Sequence, residues 1–135
     1  MIVFTNGCFD VLHRGHIELL KYCDSIACPA MGGYVVVGLN SDESVKRLKG
    51  NNRPINNEED RKFMLESLKF VYEVKIFNED TPYELIKKIK PNVIVKGGDY
   101  KKEDVVGNDL CKVRIFDYKE GYSTTKILEA IDGEK

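Results

Sequence analysis

The sequence predicts an α/β domain built on an open, parallel five-stranded sheet with helices on both faces, and three observations lead there. Strand-like and helix-like runs alternate along the 135 residues in the order β-α-β-α-α-β-α-β-(α)-β-α, the pattern of parallel strands joined by crossover helices. "YVVVGLN" at 34–40 and "NVIVKGG" at 92–98 are continuous apolar runs, as strands buried on both faces require. Polar, glycine-rich clusters follow four of the strand-like runs, at the carboxyl ends where open parallel sheets bind ligands.

The elements follow in order. "IVFT" is a short β-rich run that ends in Asn6-Gly7. "HIELLKYCDSIA" (16–27) places Ile17, Leu19, Leu20, Cys23, Ile26 and Ala27 near a 3.6-residue period, so it predicts a helix with one apolar face. "CPAMGG" (28–33) reads as a small structural loop at the sheet end opposite the polar clusters. Residues 41–49 predict a short helix with Ser41 as N-cap and Ser44 in the first turn. "GNNRPINN" (50–57) is an exposed turn-rich loop. The helix predicted over 57–69 starts with a cap and early acids, and carries apolar Phe63, Met64, Leu65 and Leu68. "VYEVKIF" (71–77) alternates as a strand. "TPYELIKKIK" (81–90) begins with Thr81 as cap and Pro82 at the first helical position. "KVRIF" (112–116) is the last strand, and "STTKILEAI" (123–131) is a capped terminal helix. No repeat, low-complexity segment or linker divides the chain, which predicts one domain over 1–135.

Composition narrows the function classes. Apolar residues make up 42% and charged residues 32%, as in an ordinary soluble domain. Net charge is −1 and the pI is about 6.1, so nothing argues for a nucleic-acid or anionic-membrane partner. Apolar runs are too short for a membrane span, and the start lacks the charged and apolar segments of a secretion signal. Cys8, Cys23, Cys28 and Cys111 form no C-x-x-C pair and fit no usual zinc spacing. The expectation is a cytoplasmic protein whose cysteines remain thiols.

Four clusters could carry chemistry. "GCFDVLHRGH" (7–16) holds both histidines of the chain, His13 and His16, where a loop enters a helix. Helix N-terminal N–H groups favour an anion there, two imidazoles add donors, and Gly15 lets the backbone come close. The competing reading is a surface loop with two solvated histidines. Lys46, Arg47 and Lys49 form either a solvated basic face or a neutralising site for phosphate oxygens. "KGGDY" offers the Gly97 and Gly98 backbone and the Asp99 carboxylate, which either hold a ribose or a metal or make a capped tight turn. Ser123, Thr124 and Thr125 cap a helix, and three hydroxyls there also make a phosphate cradle. The G-x-G-x-x-G and G-x-x-x-x-G-K-[ST] fingerprints are absent, and no nucleophile-base pair stands out. The chemistry implied is positioning and charge stabilisation around a polyphosphate.

These residues resemble a known family. "GCFDVLHRGH" is similar to the H-x-G-H signature of the nucleotidyltransferase superfamily, and "EGYSTTKIL" resembles its second signature, with S-T-T opening the last helix. Size and motifs fit the cytidylyltransferase-like branch. "TNGCFDVLHRGH", "NSDESVKRLKG-x-x-RPIN", "EDR", "EDTPYELI", "VKGGDY" and "EGYSTT" look closest to the adenylyltransferase domain of bacterial ADP-heptose synthesis. That domain is often fused to a sugar kinase, so a stand-alone version is expected here.

The resemblance implies a Rossmann-like sheet and a reaction in which a sugar 1-phosphate attacks the α-phosphate of a nucleoside triphosphate and releases pyrophosphate. It implies His13, His16 and Lys46 as catalytic residues around the triphosphate, with Lys49 helping and Asp10 near the acceptor. Gly7, Cys8, Phe9, Gly15 and Arg61 would line the nucleotide site. Lys96, Gly97, Gly98 and Asp99 would hold the nucleoside, and Ser123, Thr124 and Thr125 the β- or γ-phosphate. Mg²⁺ would be held mainly by phosphates rather than by the protein, and the chain would form a homodimer. Tyr118 stands where the glycerol-phosphate branch has an arginine in R-T-E-G, which favours the heptose-like acceptor. ATP is the expected donor, with CTP the alternative. The rival readings are a CTP-dependent cytidylyltransferase for glycerol 3-phosphate or another small alcohol phosphate, and a silent nucleotide-binding module.

Overall fold

A computed structural model describes residues 1–98 and 100–117. Five strands, β1 (Ile2–Gly7), β2 (Tyr34–Asn40), β3 (Glu73–Phe77), β4 (Val93–Gly97) and β5 (Lys112–Phe116), form one sheet in the order β3-β2-β1-β4-β5. Every neighbouring pair is parallel, as the alternating element order predicts. The helices are α1 (Arg14–Ala27), α2 (Asp42–Lys49), α3 (Glu58–Glu66) and α4 (Tyr83–Ile89). The predicted terminal helix at 123–131 lies outside the described residues.

The two-residue period of a strand builds a core on each side of the sheet. Val3, Val35, Val37, Val93 and Val95 face one side with Leu19, Leu20 and Cys23 of α1 and Leu65 of α3. Phe4, Val36, Ile94 and Val113 face the other, under Ile86 of α4. Helices therefore cover both faces, which is why the central strands read as unbroken apolar runs. Phe4 crosses over Gly38 of β2, where an added Cβ would sit 2.6 Å from the phenyl ring.

The strand order reverses at β1. β2 and β3 lie on one side of it and β4 and β5 on the other, which opens a crevice beyond the strands' carboxyl ends. β1 pairs with β2 over six residues but with β4 only through Val3↔Val93 and Phe4↔Ile94. The two strands thus part toward that end.

Several boundaries differ from the sequence expectation. α1 begins at Arg14, not His16, so both histidines fall at its cap and first turn. α4 begins at Tyr83, with Pro82 rather than Thr81 at the cap, because ψ of 14° keeps Pro82 out of the helix. Two of the apolar residues noted on α3, Phe63 and Met64, are 70% and 51% exposed. The buried stripe runs instead through Arg61 and Leu65 at helical spacing. "CPAMGG" lies at the amino end of β2, opposite the crevice, as expected. Cys28 ends α1 with a left-handed φ of 56°, and Pro29–Met31 make one 3₁₀ turn.

Candidate active site

The site starts in the loop between β1 and α1. Phe9 takes a left-handed φ of 46°, a conformation that costs a non-glycine residue energy and that clusters at functional sites. Its ring is buried and lies 5.2 Å from the His16 ring. His13 is the N-cap of α1. The Gly15 N–H donates to His13 Nδ1 at 3.0 Å, and the His13 N–H donates to His16 Nδ1 at 3.3 Å. The two imidazoles stack with centroids 3.8 Å apart.

This capping arrangement fixes the neutral tautomer of both rings. Each Nδ1 is committed as an acceptor, so a neutral ring carries its proton on Nε2. Burial pushes the His13 pKa down. Burial, with the charges of His13 and Lys49, pushes His16 down to about 3. At neutral pH His16 is therefore an uncharged N–H donor at a helix N-terminus, not a base waiting for a proton.

At the point where β1 and β4 part lies a crevice of about 360 Å³, lined by Asn6, Cys8, Asn40, Lys49, Lys96 and Tyr100 among others. Its size is in the range of small-ligand sites. The Lys96 ammonium lies 4.9 Å from the Tyr100 ring centroid, and burial holds its pKa below the ordinary lysine value. Lys49 links crevice and histidines, since it lines the one and acts on His16 of the other.

Lys46, expected with the histidines, sits elsewhere. It is exposed and lines a separate groove with Asp42, Asn56, Asn57 and Asp60. Helical spacing puts Lys46 on the Asp42 side of α2 and turns Lys49 toward the crevice. Arg47 is occupied, its Nε bound to Asp80 at 2.8 Å and its Nη2 to the Asn78 carbonyl.

Arg61 and Asp10 are braces rather than lining groups. The Arg61 side chain has no exposed surface. It donates to the carbonyls of Asn56, Cys8 and Asn40 and to the Asp42 carboxylate, at 2.8–2.9 Å. Asp10 is 3% exposed and accepts from Arg53 Nε and from the N–H groups of Ile55 and Asn56. Burial works against its charge, but these donors and the Arg53 charge hold its pKa below the usual carboxylate value.

Gly7 closes β1 and Gly97 closes β4. The N–H of Gly15 goes to His13 and that of Gly98 to the Phe116 carbonyl at 3.0 Å, so neither is open to a ligand. Asp99, Ser123, Thr124 and Thr125 lie outside the described residues. Asn6, Asn40, Tyr100 and Arg53 were missed from sequence. The signal for the first two is an asparagine at the carboxyl end of an apolar strand. Among the described residues no group of three or more His, Cys, Asp or Glu could hold a metal ion. No helix there is long and apolar enough to cross a membrane.

Comparison with known proteins agrees with this fold. The family model described as Cytidylyltransferase-like matches residues 4–130. "Bifunctional protein HldE" of a Nitratiruptor species is 57% identical over 129 residues, 95% of this chain and 27% of that protein. The protein of the same name from Campylobacter concisus is 55% identical over 135 residues, 99% of this chain and 28% of its own length. The chain thus spans little more than a quarter of these relatives. Among solved structures, the lipopolysaccharide core biosynthesis protein from Thermoplasma volcanium matches with a TM-score of 0.71 and 25% identity, covering 91% of this chain and 98% of that one.

Proposed function

The chain belongs to the cytidylyltransferase-like family and carries a nucleotidyltransferase domain, and from that premise we propose that it transfers an adenylyl group from ATP to a sugar 1-phosphate, heptose 1-phosphate foremost, releasing pyrophosphate. The observation that carries this reading is the stacked, neutral imidazole pair at the α1 N-terminus beside a crevice that holds Lys49 and Lys96.

An oxygen of the acceptor phosphate attacks the α-phosphorus of the triphosphate, and the bond to the bridging oxygen breaks as pyrophosphate leaves. The attacking phosphate is already ionised near neutral pH, so no side chain has to take a proton from it. That fits His16, which is too weak a base for the task but keeps a Nε2–H for charge developing on phosphate oxygens. Lys49 and Lys96 neutralise the polyphosphate from the crevice. Asp10 and Arg61 hold the loops in place. Asp99 and the hydroxyls of 123–125 act on the nucleoside and the outer phosphates.

Mg²⁺ fits this donor set as an ion carried mainly on phosphate oxygens, since it needs only one or two protein carboxylates. The Asp104 side chain on the crevice lining is of that kind, and the ion would supply neutralising charge at the leaving pyrophosphate. The protein acts in the cytoplasm as a homodimer. The exposed Phe63 and Met64 on α3 are apolar surface that a second copy would cover.

Pyrophosphate release, measured for each pairing of ATP or CTP with heptose 1-phosphate or glycerol 3-phosphate, tests the reading. Turnover with ATP and heptose 1-phosphate should exceed the other pairings by at least about tenfold, the size of a modest contact difference. Turnover confined to CTP and glycerol 3-phosphate would overturn it.

A further inference from the structure

Arg53 opens the "RPIN" run at 53–56, a loop to which neither the crevice nor the imidazole pair gives a task. Its Nε–H donates to Asp10 Oδ2 at 2.8 Å, with side-chain exposures of 13% and 1%. The same loop reaches Asp10 four more times. The Ile55 N–H is shared by both carboxylate oxygens at 2.8 Å, the Asn56 N–H donates to Oδ1 at 2.9 Å, and Asn56 Nδ2 donates to the Asp10 carbonyl at 2.9 Å. We propose that Arg53 is a positioning residue for the transfer: through Asp10 it holds the turn at residues 8–10 in the arrangement that seats the Phe9 ring against His16.

The chain of contacts is short. Asp10 follows Phe9 directly, and Phe9 keeps its left-handed φ of 46° only while its surroundings enforce it. The Phe9 ring meets the His16 ring at 5.2 Å, and His16 in turn stacks on His13 at 3.8 Å. Release of Asp10 would let the turn relax toward ordinary backbone angles and withdraw the ring that backs the imidazole pair.

One detail separates this role from plain stability. A side-on arginine–carboxylate pair uses Nε and Nη2 together on both oxygens. Here the two backbone N–H groups already occupy the carboxylate, and Arg53 Nη2 is buried without a hydrogen-bond partner among the described residues. The arrangement favours the placement of Asp10 over the satisfaction of Arg53.

The test uses Arg53→Gln and Arg53→Lys in the full chain, with two readouts. The first is the histidine ¹⁵N spectrum, which reports tautomers without any need for activity. Wild-type protein should show Nε2–H tautomers for both rings, and Arg53→Gln should lose the single tautomer at His16 while its amide spectrum stays folded. The second rests on the proposed reaction. Arg53→Gln should lower kcat roughly 10- to 100-fold, the cost of a small misplacement, with KM for ATP changed less than about twofold. Arg53→Lys keeps the charge and should recover part of the loss. Should Arg53→Gln fail to fold, Arg53→Lys decides through the same two readouts. Unchanged histidine signals and an unchanged kcat in the folded variant overturn the inference. Absence of transfer by the wild type with every pairing overturns the proposed function instead, and the spectra then still decide the role of Arg53.

Discussion

At the scale of single residues, the proposed reaction gives His16 a structural task on one ring nitrogen and a chemical one on the other. Nδ1 completes the cap of α1 by accepting the His13 N–H, and in the proposed reaction that commitment would leave the Nε2–H for a phosphate oxygen. His16→Ala removes both, so turnover should fall by roughly 10²-fold or more and the cap should weaken by ~1 kcal/mol. Single-turnover kinetics beside urea unfolding would resolve the two losses. Turnover within a few fold of wild type would take the histidine out of the mechanism. Lys49 and Lys46 make a second contrast. The family resemblance ranks Lys46 ahead, and the charge run itself carries no sign of which member faces inward. The structure turns Lys49 to the crevice and Lys46 to another groove. Lys49→Ala should therefore lower kcat/KM by about 10²-fold and Lys46→Ala by less than about fivefold, as measured by pyrophosphate release.

At the scale of elements, much of the chain is legible because local signals and burial agree. β2 and β5 fall on the runs 34–40 and 112–116, where apolar β-branched residues stand between turn signals. Ser41 caps α2 as its position predicts, accepting the Ser44 N–H at 3.2 Å. The buried stripe of α3 has a physical cause that residue type alone does not show. Arginine is by type a poor core residue, and the carbonyls of Cys8, Asn40 and Asn56 together with the Asp42 carboxylate, brought together by the fold, offset the cost of burying Arg61. The "CPAMGG" connection sets two glycines apart. A Cβ on Gly33 would stand 1.7 Å from the Ala27 carbonyl oxygen, whereas one on Gly32 meets nothing within 4 Å. Gly33→Ala should destabilise the protein by ~3 kcal/mol through backbone displacement. Gly32→Ala should cost only the strain of its φ of 89°, ~1 kcal/mol. Urea midpoints would rank them, and equal losses would refute the overlap argument.

At the scale of the whole molecule, the sheet order β3-β2-β1-β4-β5 is what a sequence read alone does not contain. Strand identity comes from local pattern, but adjacency comes from long-range pairing, and only adjacency locates the crevice where β1 and β4 part. The clasp of Asp10 by a loop more than 40 residues away is hidden for the same reason. Folding also leaves a signature in acid. His16 ionises near its ordinary 6.5 in the unfolded chain but only at about 3 in the fold, and His13 is displaced in the same direction. Between those values the unfolded chain binds more protons, so stability is whole above about pH 6.5 and falls as the pH drops toward 3. For His16 alone the loss between pH 6.5 and 5 is at most about 2 kcal/mol, at 1.36 kcal/mol per pH unit. Asp10 adds to it only below the ordinary carboxylate range, because its pKa is lowered from 3.8. Urea midpoints measured from pH 7 to 5 should decline in the wild type and decline less in His16→Gln, whose amide does not titrate. Parallel curves for the two proteins would mean that His16 is not held neutral by the fold, and its role as an uncharged donor would go with it.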